Sequence, residues 1–177
     1  MEALVTGNQM KELDAYTIKE MGIPSLVLME RAGVAVYQEM LKEKLSLDKT
    51  LVLCGGGNNG ADGVVIARLL FLAGYKADVC IIGNPDHFTE EMKKQIEIGK
   101  KYGLSFVNTF LPDEYTTIVD AVFGVGLSRE VAGKYREAIL QVNEFKGKVV
   151  SVDIPSGISS DTGAVLGAAV KADLSVT

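Results

Sequence analysis

Five glycines fall within nine residues, Gly55 to Gly63, in the run Cys54-Gly55-Gly56-Gly57-Asn58-Asn59-Gly60-Ala61-Asp62-Gly63. The run follows an apolar strand-like stretch, Thr50 to Leu53, and opens an apolar helix-like stretch, Val64 to Leu72. A strand that breaks into glycines and re-forms as a helix brings its backbone close to a neighbour, because no Cβ holds other atoms off. The helix amino terminus adds unpaired N–H groups and a partial positive charge, which together suit phosphate. No Lys-Ser/Thr pair follows the glycines, so the loop does not read as a P-loop, and it meets the dinucleotide fingerprint only loosely. Asn58, Asn59 and Asp62 stand there instead. Two carboxamides and a carboxylate can hydrogen-bond a ribose or an amide, or supply oxygen ligands to a hard cation. The plainer alternative is a turn in which the Asn residues take left-handed backbone and Asp62 caps the helix.

At 177 residues the chain is expected to form one domain with a sizeable core. No apolar run approaches membrane-spanning length, and Met-Glu-Ala-Leu-Val at the start lacks the basic flank and apolar stretch of a signal peptide. The two cysteines, Cys54 and Cys80, each close an expected interior strand as small buried hydrophobes, which suits a reducing cytoplasm. A net charge of −5 with scattered lysines argues against nucleic acid as a partner.

Residues 8–19 and 25–43 read as two helices broken by Gly22 and Pro24, with Leu26, Met29, Ala32, Gly33 and Val36 on one face, expected to pack on the core. Strands are expected at Ala77–Ile82, Leu104–Val107, Thr117–Val122 and Lys148–Val152, and helices at Thr89–Tyr102 and Glu137–Phe145. This alternation is that of a parallel sheet covered by helices on both faces.

Two further constellations fall at carboxyl ends of strands, where such a sheet places a site. In Val119-Asp120-Ala121-Val122-Phe123-Gly124-Val125-Gly126-Leu127-Ser128-Arg129-Glu130, an acid sits inside an apolar strand, and its burial demands a cation or hydrogen-bond donors. The alternative is an Asp that caps nearby backbone N–H groups. Arg129 can reach a phosphate bidentately or simply be solvated. In Val149-Val150-Ser151-Val152-Asp153-Ile154-Pro155-Ser156-Gly157, the strand delivers Asp153 to its carboxyl end, and Pro155 and Gly157 fix the turn. With one histidine, His87, expected to be solvated in a polar loop, and no nucleophile elbow, carboxylates are the available acid–base groups.

The order Gly-x-Gly-Asn-Asn-Gly-x-Asp-Gly, then Asp-Ala-x-x-Gly-x-Gly, then Asp-x-Pro-Ser-Gly, behind a two-helix lead, resembles the YjeF amino-terminal domain, the NAD(P)H-hydrate epimerases. The likeness runs from about Gln9 to the carboxyl end and implies a three-layer α/β/α Rossmann-like sandwich with a mostly parallel sheet. It implies interconversion of the R and S forms of NADHX and NADPHX, hydrated forms of the reduced nicotinamide nucleotides. It further implies substrate binding by Asn58, Asn59, Gly60, Ala61, Asp62, by Gly124, Val125, Gly126, Leu127, Ser128, Arg129, Glu130, and by Asp153. It also implies a potassium ion held by Asn59, Asp120 and Ser156. Asp153 is expected to be the catalytic acid–base group, because epimerisation of a carbon bearing a hydroxyl and a ring nitrogen needs one of them lost and returned.

The chain departs from the family pattern at Gly56, where proline is frequent, and at Ala61, where glycine is usual. Lys171 to Thr177 reads as the start of a further strand, so the domain, 1–177, is expected to be truncated there. The resemblance also implies a homodimer through the amino-terminal helices and a fused or separate dehydratase partner that uses ADP or ATP. A non-catalytic dimerising or nucleotide-binding module of the same fold is the alternative from another class. A nicotinamide-dependent oxidoreductase is a third reading, weakened because Cys80-Ile81-Ile82-Gly83-Asn84 carries no acid to hold a ribose.

Overall fold

The computed structural model describes residues 6–177. Strands β1 (Lys49–Cys54), β2 (Lys76–Ile81), β3 (Ser105–Val107), β4 (Thr117–Ala121), β5 (Lys148–Val152) and β6 (Leu174–Val176) form one sheet. Their order is β3-β2-β1-β4-β5-β6, and every pairing is parallel. Helices α1 (Gly7–Lys19), α2 (Ser25–Lys42), α3 (Asn58–Leu72), α4 (Glu90–Tyr102) and α5 (Gly133–Asn143) complete the fold.

Alternation along each strand divides the core. Val52 and Cys54 of β1 pack with α2, α3 and α4, while Leu51 and Leu53 pack with Ile139 and Val142 of α5. Burial on both faces explains why β1 and β4 read as unbroken apolar runs. The parallel sheet covered on both faces is therefore what the patterning implied, and the three-layer sandwich is the fold that the resemblance implied. The strand order reverses between β1 and β4, so the carboxyl ends of these two strands open the crevice in which such sheets bind ligands.

Local chemistry sets the ends of the helices. The Thr89 hydroxyl accepts from the Met92 N–H, acids fill the first turn of α4, lysines fill its last, and left-handed Gly103 ends it. At α1, Thr6 and Gln9 cap one another's backbone N–H groups. Only Gly7 of α1 is buried, so this helix lies outside the core.

Most expected elements form within a residue or two of their expected bounds. The main correction is α3, which begins at Asn58 rather than Val64, so that Asn58 to Asp62 are helical. α5 likewise starts at Gly133 rather than Glu137, ahead of the apolar positions that betray it. On α2, Met29, Gly33 and Val36 are buried as expected, but Ala32 is exposed. Cys54 and Cys80 are buried free thiols, and His87 is exposed at a 3-10 turn. Among the described residues no helix is long and apolar enough to cross a membrane.

Glycine lets α3 sit close to its neighbours. A Cβ on Gly63 would lie 2.7 Å from the Ala121 Cβ and 2.8 Å from the Cys54 Sγ, whereas one on Gly57 would meet nothing within 4 Å. Gly63→Ala is therefore expected to cost about 1–3 kcal/mol in urea denaturation. Gly57→Ala, the matched control at the same loop, is expected to stay within about 0.5 kcal/mol of the parent.

Candidate active site

The glycine loop is held by backbone packing at both ends. The Gly55 N–H donates to the Ala121 carbonyl at 3.0 Å, and a Cβ on Gly55 would collide with the Val122 carbonyl oxygen. Gly60, already inside α3, packs so tightly on the Gly55 carbonyl that no side chain fits there. Gly57 is the N-cap and offers no side chain to the first turn; the Ala61 N–H is the first to find a helical acceptor, on Gly57. The amides of Asn58, Asn59 and Gly60 are thereby left to bind something outside the helix.

These facts overturn the turn-and-cap alternative. Neither Asn58 nor Asn59 has a positive φ, and Asp62 lies in the second turn rather than at the cap. Ala61 is helical and fully buried, so alanine is at ease where family members usually have glycine. At the other departure, a side chain on Gly56 would strike the Phe88 ring, which lies 2.5 Å from its Cβ position.

Asp120 on β4 is 0% exposed. Its Oδ2 accepts from the Ser151 hydroxyl and the Ser156 N–H, both at 2.8 Å. Its Oδ1 accepts from the Ser156 hydroxyl and, at 3.3 Å, the Val122 N–H. Ser151 was not singled out in the sequence, yet it is the β5 residue directly paired with Asp120. Ser156 is also buried, takes the Phe123 N–H at 2.8 Å and lies 3.2 Å from the Phe123 carbonyl, so one hydroxyl joins the loops after β4 and β5. Burial still pushes the Asp120 carboxyl above its ordinary range against these hydrogen bonds.

Asp153 has a φ of +70°, a left-handed backbone rare outside glycine, asparagine and aspartate. Strand β6 holds it there: its N–H donates to the Val176 carbonyl, and the Thr177 hydroxyl donates to its own carbonyl, both at 2.8 Å. Its Oδ2 accepts from the Val125 N–H at 2.8 Å. A Cβ on Gly124 would lie 2.5 Å from that oxygen and 3.3 Å from the Asn59 carboxamide. Gly124 is thus the point where the α3 amide and the β5 carboxylate meet. Strained backbone of this kind concentrates at functional sites.

The remaining expected binding residues divide. Val125 and Leu127 are partly buried in the loop after β4, and the Leu127 N–H donates to the Gly124 carbonyl at 3.2 Å. Gly126, Ser128, Arg129 and Glu130 are exposed on its outer side, with Arg129 free of any ion pair among the described residues. A residue that sequence reasoning missed is Asp14 of α1, whose charge is felt at both Asp62 and Asp153. It carried no signal, being one acid on an exposed helix. A depression of about 420 Å³ lined by Lys49, Tyr75, Lys76 and Asp78 lies at the opposite, amino ends of the strands and holds none of the motif residues.

The donor set around Asp120 is compatible with a hard cation of low charge. It offers one carboxylate, the Ser156 hydroxyl and the Phe123 carbonyl, all oxygen donors, and the Asn59 carboxamide stands beside Gly124, one residue beyond Phe123. The Asn59 Nδ2 is buried without a partner, and turning the amide over puts its oxygen in that place. No cluster of three His, Cys, Asp or Glu side chains suited to a more highly charged metal occurs among the described residues.

A family model described as YjeF-related protein N-terminus matches residues 25–177. The chain is 46% identical over 175 residues to a protein of Lentilactobacillus buchneri named NAD(P)H-hydrate epimerase, covering 97% of this chain and 81% of that one. It is also 46% identical over 177 residues to a protein of the same name from Limosilactobacillus fermentum, with 99% and 85% covered. The crystal structure of yeast ynu0, YNL200c, is similar with a TM-score of 0.87 at 24% identity, covering 98% of this chain and 79% of that one, a likeness of fold.

Burial, the Asp153 charge and the Asp14 charge lift the Asp62 carboxyl from 3.8 to about 7. A carboxyl that binds its proton more tightly folded than unfolded withdraws stability as pH rises from about 4 to about 7. Asp62→Asn removes this penalty. Its stability advantage over the parent, followed by thermal melts from pH 5 to pH 8, is expected to grow by on the order of 2 kcal/mol.

Proposed function

Because the chain belongs to the family of YjeF-related protein N-termini, we propose that it is an NAD(P)H-hydrate epimerase, an isomerase interconverting the R and S forms of NADHX and NADPHX. The observation that carries this reading is near full-length identity of 46% with proteins named for that activity. The crevice at the carboxyl ends of β1, β4 and β5 offers the parts the chemistry needs.

The reacting carbon bears a hydroxyl and a bond to the ring nitrogen. Expelling the hydroxyl as water, with the nitrogen lone pair forming a C=N bond, flattens the carbon, and water added to the other face inverts it. Asp153 is proposed to be an acid–base group in this loss and return of water. Its left-handed backbone, its β6 anchors and the Val125 N–H keep one carboxylate oxygen fixed against Gly124. The free amides at the start of α3, with the side chains of Asn58 and Asn59, bind the polar parts of the nucleotide, and the loop 124–130 closes the other side. Asn59, Asp120 and Ser156 would hold a potassium ion, whose contribution there is positive charge beside the nucleotide rather than proton transfer.

Cytoplasmic operation is in keeping with two free buried thiols. A homodimer is supported by apolar side chains exposed along α1, the connection after it and the start of α2, among them Leu13, Tyr16, Met21 and Val27, 46–63% exposed. A dehydratase that consumes one epimer is the proposed partner activity.

Purified R-NADHX, incubated with the protein in potassium or choline buffer, is expected to reach the R/S equilibrium far faster than the uncatalysed background. Asp153→Asn, whose side chain tolerates left-handed backbone, is expected to lower kcat by about 10²–10⁴-fold; full activity in that variant would remove Asp153 from its role. Potassium in place of choline at equal ionic strength is expected to raise the thermal midpoint, since an ion bound only by the folded state stabilises it. Sedimentation is expected to give a dimer that Leu13→Glu with Tyr16→Glu converts to a monomer.

A further inference from the structure

We propose that Asp62 is the second acid–base group of this site, giving a proton to the leaving hydroxyl while Asp153 takes one from the entering water, the two exchanging roles in the reverse direction. The inference rests on the epimerase reading and adds a residue to it. Asp62 projects from the second turn of α3, three residues after Asn59, so it shares the helix face whose Asn59 carboxamide converges with Asp153 on Gly124. Asp62 comes from the β1 side of the switch point and Asp153 from the β5 side, so a planar intermediate held in the crevice would have one carboxyl toward each face.

Three observations separate Asp62 from a merely structural acid. Its carboxyl receives no hydrogen bond and no ion pair among the described residues, although it is partly buried. The charged and titratable groups that face it are Asp153 after β5, Asp14 of α1 and the Cys54 thiol of β1, with no cation among them. Asp120, by contrast, has four donors to itself. A partly buried carboxyl with neither donor nor cation holds its proton tightly, which suits Asp62 to the acid's part, while Asp153, whose Oδ2 the Val125 N–H holds, is left the base's.

The step balances. The carbon–oxygen bond breaks as the hydroxyl takes the Asp62 proton and leaves as water, and the ring-nitrogen lone pair forms the C=N bond. Water from solvent then adds to the opposite face and gives its proton to Asp153. Nothing is oxidised or reduced, and the hydroxyl oxygen is exchanged with solvent.

The test compares the parent, Asp62→Asn and the smaller Asp62→Ser on R-NADHX in H₂¹⁸O, with kcat and KM measured from pH 5 to pH 9. The expected result is one ¹⁸O gained per epimerisation by the parent, a kcat lowered about 10²–10⁴-fold in both variants with KM within about threefold, and loss of the alkaline limb of the parent's pH profile. A rise in KM alone, an unchanged kcat, or an unchanged alkaline limb would overturn the assignment and leave Asp62 a binding group. An inactive parent would overturn the epimerase reading and the carboxyl pair with it, whereas an active parent with equally active variants overturns the pair alone.

Discussion

A single carboxylate sealed inside the fold organises the carboxyl ends of strands β4 and β5. Asp120 projects from a central strand, and each of its two oxygens takes donors from β5 or from the turn beyond it. Removing the acid would take the acceptor from the Ser151 hydroxyl and from the Ser156 and Val122 N–H groups, and removing the donors would leave a buried charge, so neither half is stable alone. Ser156 extends the arrangement to the backbone of Phe123. The loops after β4 and β5 are therefore fixed to one another before any ligand arrives. The placement of Asp153 and Gly124 follows from that fixation.

The site built on this anchor sets stability against chemistry. Burial lifts the carboxyls of Asp62, Asp120 and Asp153, and no lysine, arginine or histidine among the described residues forms an ion pair with any of them. An uncapped helix start, a left-handed aspartate and an orphaned carboxamide lie within the same crevice. Elsewhere in the fold, as at α4 with its capping threonine and charge-matched ends, local preferences and global structure agree. Concentrated disagreement of this kind marks the part of a protein kept for function rather than for folding.

Much of the architecture was legible in the sequence because parallel strands buried on both faces leave continuous apolar runs, and Cys54, Asp120 and Asp153 each stand at or near the end of one. The order of three motifs carried the family resemblance. What the residues alone hid was the start of α3. Asn and Gly are poor helix formers, and only the packing of Gly60 on Gly55 and of Gly63 on the sheet makes Asn58 to Asp62 helical. The hydrogen-bond partners of Asp120 were half visible: Ser156 sat in a motif, but Ser151 acquires its role only from the strand register. Asp14 could not have been found, since its influence on Asp62 depends on where the tertiary fold brings α1.

The left-handed backbone at Asp153 restricts the routes by which descendants of such a chain can drift. Most side chains are strained there, so replacement is open chiefly to glycine, which relaxes the main chain, and to asparagine, which keeps the shape without the charge. Both remove the carboxylate proposed to transfer the proton while sparing the fold. A lineage that abandoned the reaction but retained the scaffold for binding would thus carry its history at one codon, and inactive copies would accumulate as well-folded proteins instead of being cleared as misfolded ones.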